Sequence, residues 1–260
     1  MSILDKIVAR KREEIALAKQ TVSIKQLEAL PNFNRTPLVF KDFLLDQSRT
    51  GIISEFKRRS PSKGLINGTA DVTAVTKAYN EAGASAISVL TDTDFFGGRA
   101  DDLIAARAVN EIPILRKDFM IDEYQILEAK AWGADLILLI ASILTPKEID
   151  TYGKFAQSLG LNVLLEVHNL EELERSISMN VNAIGVNNRN LGDFTVNIQT
   201  SFDLVERIPN DFLKISESAI DNPEVIKELK AVGYHGFLIG ENFMKTADPG
   251  EAIREFVTRL

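Results

Sequence analysis

The sequence predicts an α/β protein: a closed barrel of eight parallel strands alternating with helices, entered through an N-terminal helical extension. Two observations carry this. First, four helix-like stretches run into a Gly and then an apolar run, at Glu81-Ala82-Gly83-Ala84, Ala131-Trp132-Gly133-Ala134, Ser158-Leu159-Gly160-Leu161 and Ala231-Val232-Gly233-Tyr234. Gly suits a helix end that needs a left-handed residue, and an apolar run suits a strand buried on both faces. Second, eight such runs can be read, ending near Phe56, Leu90, Arg116, Ile140, Val167, Val186, Ile215 and Ile239, with room for a helix and two loops between them. Eight β-α units in 260 residues match the roughly 250 that a (β/α)8, or TIM, barrel takes. A doubly wound open sheet is the alternative. No Gly-x-Gly-x-x-Gly follows any of the runs, which weakens a dinucleotide-binding version of it.

Taken in order, residues 1–48 predict the extension. The start, MSILDKIVARKREEIALAKQ, alternates apolar and charged residues at helical spacing. It carries acids and lacks the apolar core of an export signal. Residues 49–260 then form the barrel. With no Pro/Gly/Ser linker and no low-complexity tract, the whole of 1–260 is expected to be one domain. Several helix starts are readable. Thr145-Pro146-Lys147-Glu148 has Thr at the cap, Pro at the first position and Glu three on, a capping box. Asp248-Pro249-Gly250-Glu251 repeats the arrangement, and Asn222-Pro223-Glu224 is a weaker form.

Composition narrows the function. A hydrophobic content of 45% and a charged content of 26% are ordinary for a globular chain. No apolar run approaches the roughly 18 residues of a membrane helix. With no Cys there is no disulfide, no thiolate nucleophile and no Cys-based metal site, and a reducing cytoplasm fits. A net charge of −7 argues against nucleic acid as a partner, and it makes local clusters of Lys and Arg informative as anion sites.

Such clusters fall at the strand ends, where barrels of this class keep their chemistry. The first strand reads ISEFKRRSPSKG, and alternation makes Glu55 and Lys57 point the same way. A buried structural ion pair is the bland alternative. Ser60-Pro61-Ser62-Lys63-Gly64 follows as a polar loop with donors for an anion. The third strand, PILRKDF, ends in Lys117 and Asp118. Partly buried beside another cation, Lys117 would have a lowered pKa and could donate a proton near neutrality. The fifth, LNVLLEVH, places Glu166 after an apolar run, an expensive position for an acid unless it is paired or functional. His168 shares its parity but reads as a loop residue, and His235 as a loop or packing residue. The sixth, AIGVNNRNL, ends in Asn187, Asn188, Arg189 and Asn190, which suit phosphate or carboxylate binding, or simply an Asn-rich turn. The seventh, LKISESAI, places Glu217 and Ser218 at its end, and the eighth, FLIGENFM, places Gly240 there. Loops after the seventh and eighth strands often build a phosphate site from backbone N–H groups. Together these residues describe a site for a phosphorylated anion with acid–base groups.

The segments ISEFKRRSPSKG, AISVLTDTDFFGG, PILRKDF, LLEVH, GVNNRNL, ISES and LIGENFM, in that order, resemble the motifs of the indole-3-glycerol phosphate synthase family. The resemblance runs from about residue 50 to the end, and the helical extension fits as well. It implies a carboxy-lyase of tryptophan biosynthesis with a small phosphorylated aromatic substrate, 1-(2-carboxyphenylamino)-1-deoxyribulose 5-phosphate. It implies no cofactor, no metal, no nucleic acid and no membrane. A monomer is expected, with contact to neighbouring tryptophan-pathway enzymes open. By resemblance, Lys117 is the general acid, Glu166 the general base and Lys57 a substrate-binding lysine that can serve as acid in dehydration. Glu55 and Asn187 match supporting residues. Ser60, Phe119, Arg189, Leu191, Glu217 and Ser218 fall in the substrate-binding set, with Phe95 and Phe96 as further apolar neighbours. Ala219, Gly240 and Glu241 fall at the phosphate. Phosphoribosylanthranilate isomerase and the tryptophan synthase α chain share the phosphate end but not Glu55, Lys57, Lys117 and Glu166. The family usually has Gly where this chain has Ala219; Ala disfavours positive φ but keeps the N–H, so phosphate binding is expected to survive if the backbone there is in an ordinary region. Glu241 is expected to turn its carboxylate away from the phosphate.

Overall fold

The computed structural model describes residues 2–190, 192 and 194–260. Its centre is a closed barrel of eight parallel strands: β1 (Ile52–Phe56), β2 (Ala86–Leu90), β3 (Ile114–Lys117), β4 (Leu136–Ile140), β5 (Asn162–Val167), β6 (Ala183–Asn187), β7 (Leu213–Glu217) and β8 (Gly236–Ile239). Each pairs with its sequence neighbours, and β8 pairs back to β1 through Ile53 and Leu238. The helices are α1 (Ile3–Thr21), α2 (Ile24–Glu28), α3 (Phe40–Leu44), α4 (Val72–Glu81), α5 (Ala100–Val109), α6 (Glu123–Trp132), α7 (Pro146–Ser158), α8 (Leu170–Ser176), α9 (Gln199–Leu204), α10 (Pro223–Ala231), α11 (Glu241–Met244) and α12 (Pro249–Val257). A short hairpin pairs Arg59 and Ser60 with Leu65 and Gly64 just beyond β1.

The sequence signals act as expected at the helix ends. Gly83, Gly133, Gly160 and Gly233 all take positive φ, between 78° and 108°. Thr145 forms the full capping box with Glu148, while Asp248 and Asn222 each cap their helix with a single side-chain acceptor. Three strands run further than their apolar letters suggest. β3 ends at Lys117 rather than Arg116, β6 at Asn187 rather than Val186, and β7 at Glu217 rather than Ile215. The reason is that hydrophobicity marks only the core layers. At the mouth of the barrel the inward positions are polar, so the strand continues where the apolar run stops.

Strand alternation sorts the core into two. Ile53, Leu115, Leu138, Leu164, Ile215 and Leu238 point inward and fill the barrel. Ile52, Ile114, Leu139, Leu165, Val186 and Phe237 point outward and pack under the helices. The extension spans both ends. Phe40 and Leu44 of α3 join the inward cluster at the base, where Leu44 lies over the bare Cα of Gly236. Asp135 at the base accepts from Arg35 at 2.7 Å and from the Leu38 N–H at 2.7 Å, tying the loop before α3 to β4. Helix α1 lies across the mouth. Its Ile7 joins the inward cluster, and its Lys11, only 3% exposed, reaches Asp92 at 2.9 Å and Asp118 at 3.0 Å. No helix among the described residues is long and apolar enough to cross a membrane.

Candidate active site

The inward positions at the carboxyl ends of the strands open into a cavity of about 120 Å³, adjoined by a more polar one of about 210 Å³. Glu55, Lys57, Arg189, Ser218, Leu238 and Glu241 form the shared wall, so the two are lobes of one site. The first lobe has an apolar side built by Ile3, Leu4 and Ile7 of α1 together with Leu138, Phe96 and Phe119. The rings of Phe96 and Phe119 lie 5.9 Å apart, tilted by 39°. The second lobe is lined by Ser218, Ala219, Gly240, Glu241, Asn242 and Lys245. One lobe therefore suits a flat apolar group and the other an anion.

A charge cluster stands at the junction. Lys117 Nζ lies 2.6 Å from Glu217 Oε2 and 3.1 Å from Glu166 Oε2. Lys57 Nζ lies 2.6 Å from Glu55 Oε1. These groups meet because β1, β3, β5 and β7 bring inward-facing residues of one layer together; Lys117 and Glu217 are 100 positions apart in the chain. Two glycines make room for the carboxylates. A Cβ on Gly240 would come within 2.5 Å of Glu55 Oε1, and one on Gly185 within 2.2 Å of Glu217 Oε1.

The environment of Lys117 is the reverse of the sequence expectation. Burial pulls its pKa down, but Glu217, then Glu166 and Glu55, outweigh burial and hold it well above the ordinary lysine value. The neighbours that decide this are carboxylates from other strands rather than a second cation. Burial pushes Glu55 up, and Lys57 with Lys117 more than reverses it, so Glu55 stays ionised. Burial likewise opposes ionisation of Glu166, and Lys117 and His168 hold it far below the usual carboxylate range. Glu217 goes the other way: burial, with Glu166 and Glu55 nearby, pushes it up to about 7 despite Lys117. Its Oε1 is buried without a hydrogen-bond partner among the described residues. Like charges packed this closely cannot all ionise, so Glu217 is the carboxyl that shares a proton near neutrality.

Of the residues singled out in the sequence, Glu55, Lys57, Ser60, Lys117, Phe119, Glu166, Asn187, Arg189, Glu217, Ser218 and Glu241 line the first lobe, and Ala219 and Gly240 line the second. Phe96 lines the cavity, whereas Phe95 packs against the inward cluster behind it. Leu191 lies outside the described residues.

Two further readings fail. Ala219 is not in an ordinary backbone region: its φ is 61°, next to Ser218 at 67°. Buried Asn188 explains how two non-glycine residues are held there. Its Nδ2 donates to the carbonyls of Glu217 and Ser218 at 3.0 and 3.3 Å, and its Oδ1 accepts from Ser201 Oγ at 2.9 Å. Nor does Glu241 turn away. Its carboxylate lies 3.3 Å from Arg189 Nη2 and 3.5 Å from Lys63 Nζ, inside the anion lobe. The two cations that would meet a phosphate attract the nearest acid. The side chains of α1 and Lys245 were not picked out from sequence as site residues. Ile3, Leu4 and Ile7 form an apolar stripe at helical spacing, which signals docking but not on what.

Comparison with known proteins matches the geometry. The profile of the family described as "Indole-3-glycerol phosphate synthase" matches residues 4–256. A protein of that name from Bacteroides thetaiotaomicron is 48% identical over 259 residues, covering 99% of this chain and 98% of its own. Another, from Variovorax paradoxus, is 42% identical, covering 96% and 97%. Among solved structures, the N-acetylmannosamine-6-phosphate 2-epimerase of Clostridium perfringens aligns with a TM-score of 0.61 at 16% identity, over 84% of this chain and 96% of that one. A mandelate oxidase variant aligns with a TM-score of 0.60 at 15% identity, over 81% and 70%. The structural likenesses establish the barrel alone. The near-full-length matches establish more: the chain belongs to the indole-3-glycerol phosphate synthase family.

Proposed function

We propose that this chain closes the indole ring of indole-3-glycerol phosphate from 1-(2-carboxyphenylamino)-1-deoxyribulose 5-phosphate, releasing carbon dioxide and water, in the cytoplasm. The observation that carries the reading is the Lys117–Glu166–Glu217 cluster at the junction of an apolar and a polar lobe. The substrate has the same division, an aromatic ring at one end and a phosphate at the other, with the reacting ketone between them.

The ring carbon bearing the carboxylate attacks the ketone carbon, and negative charge grows on the ketone oxygen. Lys117 donates a proton to it. Its raised pKa is no obstacle, because an alkoxide is far more basic than an amine. Loss of carbon dioxide restores the aromatic ring. Dehydration then removes the new hydroxyl as water: Lys57, the ammonium still charged, protonates the departing oxygen while Glu166 takes the proton from the adjacent carbon, and Lys57 regains its proton from solvent. Glu166 sits 3.1 Å from Lys117, so the proton it takes can return to the amine and reset the pair. Lys57, fixed by Glu55, is the second ammonium at the junction. Arg189, Lys63 and the backbone around Ala219 and Gly240 receive the phosphate, for which Glu241 gives up its hold on the two cations.

The test mixes protein with the carboxyphenylamino-deoxyribulose phosphate and follows indole fluorescence. The wild type should turn over, and Lys117→Ala and Glu166→Gln should each lose most turnover while remaining folded. Near-normal kcat in Lys117→Ala would remove it as the acid.

A further inference from the structure

His168 has no part in the reaction just described, yet its place is unusual. It follows β5 by one residue and stands directly behind Glu166. Its Nδ1 lies 3.0 Å from Glu172 Oε2, and its own backbone N–H donates to that same oxygen at 2.9 Å. Glu172 is itself fixed, its N–H donating to Asn169 Oδ1 at 2.9 Å at the start of α8. The ring can therefore present only Nε2 to the site, and Nε2 lies 3.3 Å from Glu166 Oε1, on the side of the carboxylate away from Lys117. This is an ion-pair approach outside hydrogen-bond geometry, and Nε2 is buried with no other polar partner among the described residues. His168 is absent from the walls of the two lobes and lines an adjoining polar cavity of about 480 Å³, with Ser142, Asn169, Glu172 and Asn188, that shares Leu4, Asn187 and Arg189 with the first lobe.

We propose that His168, braced by Glu172, is a positioning residue for Glu166: it holds the second carboxylate oxygen in place and sets the pH above which Glu166 can accept a proton. The inference rests on the function proposed above. Without His168, the cation left within 4 Å of Glu166 among the described residues would be Lys117, which Glu217 shares at the shorter distance. The charged groups facing the imidazole are Glu166 from β5, Glu172 from α8 and Arg189 across the cavity, and Arg175 acts on Glu172 from the same helix. The two carboxylates dominate. Burial alone would pull the imidazole down, but the close carboxylates of Glu166 and Glu172 on either side push it up to about 10. An imidazolium beside Glu166 disfavours its protonated form, so removing that charge raises the base's pKa.

The experiment measures kcat and KM from pH 4.5 to 9 for the wild type, His168→Gln and Glu172→Gln, and titrates His168 by NMR with ring-labelled histidine. In the wild type Glu166 titrates below the scan and should give kcat no acid limb within it, whereas a limb should appear at the low end in His168→Gln, with kcat at pH 4.5 falling at least about twofold below its value at pH 7, and a weaker one in Glu172→Gln. KM should change less than about twofold, since the ring lines neither lobe of the site. In the wild type His168 should titrate at least about 1.5 units above the ordinary 6.5. The proposal is overturned if the kcat profiles of both variants overlay the wild type, if kcat falls equally at every pH, or if His168 titrates near 6.5. Should His168→Gln not fold, Glu172→Gln and the titration still decide. A wild type with no turnover would refute the proposed function, whereas the NMR titration reads the geometry independently of activity.

Discussion

Lys117 and Asp118 are adjacent in the chain and both surrounded by charge, Asp118 buried and Lys117 partly so, and they belong to different machines. Asp118 points outward beneath α1. One oxygen meets Lys11 at 3.0 Å and the Phe119 N–H at 2.8 Å, and the other meets Arg116 at 3.1 Å and Thr91 at 2.6 Å. Burial works against ionisation, but Lys11 and Arg116 keep the Asp118 pKa far below the usual range. Arg116 continues the network to Glu128 at 3.1 Å and lies 4.1 Å over the ring of Trp132. Lys117 points inward to a cluster in which Glu217 keeps an unpartnered oxygen and a pKa near 7, at the edge of a cavity. A carboxylate with both oxygens taken, as in Asp118, can hold elements together but has no proton or charge to spare. A cluster left partly unsatisfied can do acid–base work. The difference lies in satisfaction and in access to the cavity: both are surrounded by charge, but the Lys117 side chain is 13% exposed and that of Asp118 2%.

That contrast can be broken first at the two lysines. Lys117→Ala should lower kcat by about 10²–10⁴-fold, the usual worth of a positioned proton donor, with the fold retained by circular dichroism. Lys11→Met should act on stability instead, since it leaves buried Asp92 with no cation within 4 Å among the described residues and Asp118 with Arg116 alone. A loss of about 3–5 kcal/mol is expected in urea unfolding. If Lys11→Met left stability untouched, the outward cluster would have no structural role.

The contrast sharpens with pH at Glu217. Its folded pKa of about 7 lies above its unfolded value, so its favourable contribution is complete below about pH 4 and is lost as pH rises through 7. Glu217→Gln cannot titrate. Relative to that variant, the wild type should therefore lose on the order of 2–3 kcal/mol of unfolding free energy between pH 4.5 and 8. A constant difference across this range would mean that Glu217 does not share a proton in the folded state.

The smallest effect is expected at Ala219, where the barrel mouth stores backbone strain. Ala219→Gly relieves a left-handed alanine but loosens the unfolded chain, so a gain of about 0.5–1 kcal/mol is expected in thermal unfolding. Asn188 already holds the turn, so KM should fall less than about tenfold. A larger drop would mean that the alanine distorts the phosphate lobe.

Much of the site is legible in one dimension, and the reason is parity. Glu55 and Lys57 are two apart on a strand, so their meeting needs no knowledge of the rest of the chain. Glu166 at the end of LLEV stands out because an acid after an apolar run is costly. The helix-ending glycines locate where strands begin, hence where they end, and so gather scattered polar letters into one ring. Other features were illegible for equally physical reasons. The lowered pKa expected for Lys117 failed because its neighbours come from β1, β5 and β7, and closure of the barrel alone decides which strands face one another. The φ of Ala219 depends on Asn188, 31 positions earlier. His168 shares Glu166's parity, but only the start of α8 brings Glu172 behind the ring and turns a loop residue into part of the charge cluster.

The sequence by itself determined the barrel, the order of its strands, the inward register of the polar residues and the family. These follow from local rules, since periodicity, helix caps and alternation act over a few residues. The tertiary structure alone decided the signs: which Lys faces carboxylates, which Glu keeps a proton, which cations Glu241 occupies and which helix roofs the cavity. Those depend on distances between residues far apart in the chain, and electrostatic energy is set by distance and burial, which only the closed barrel defines.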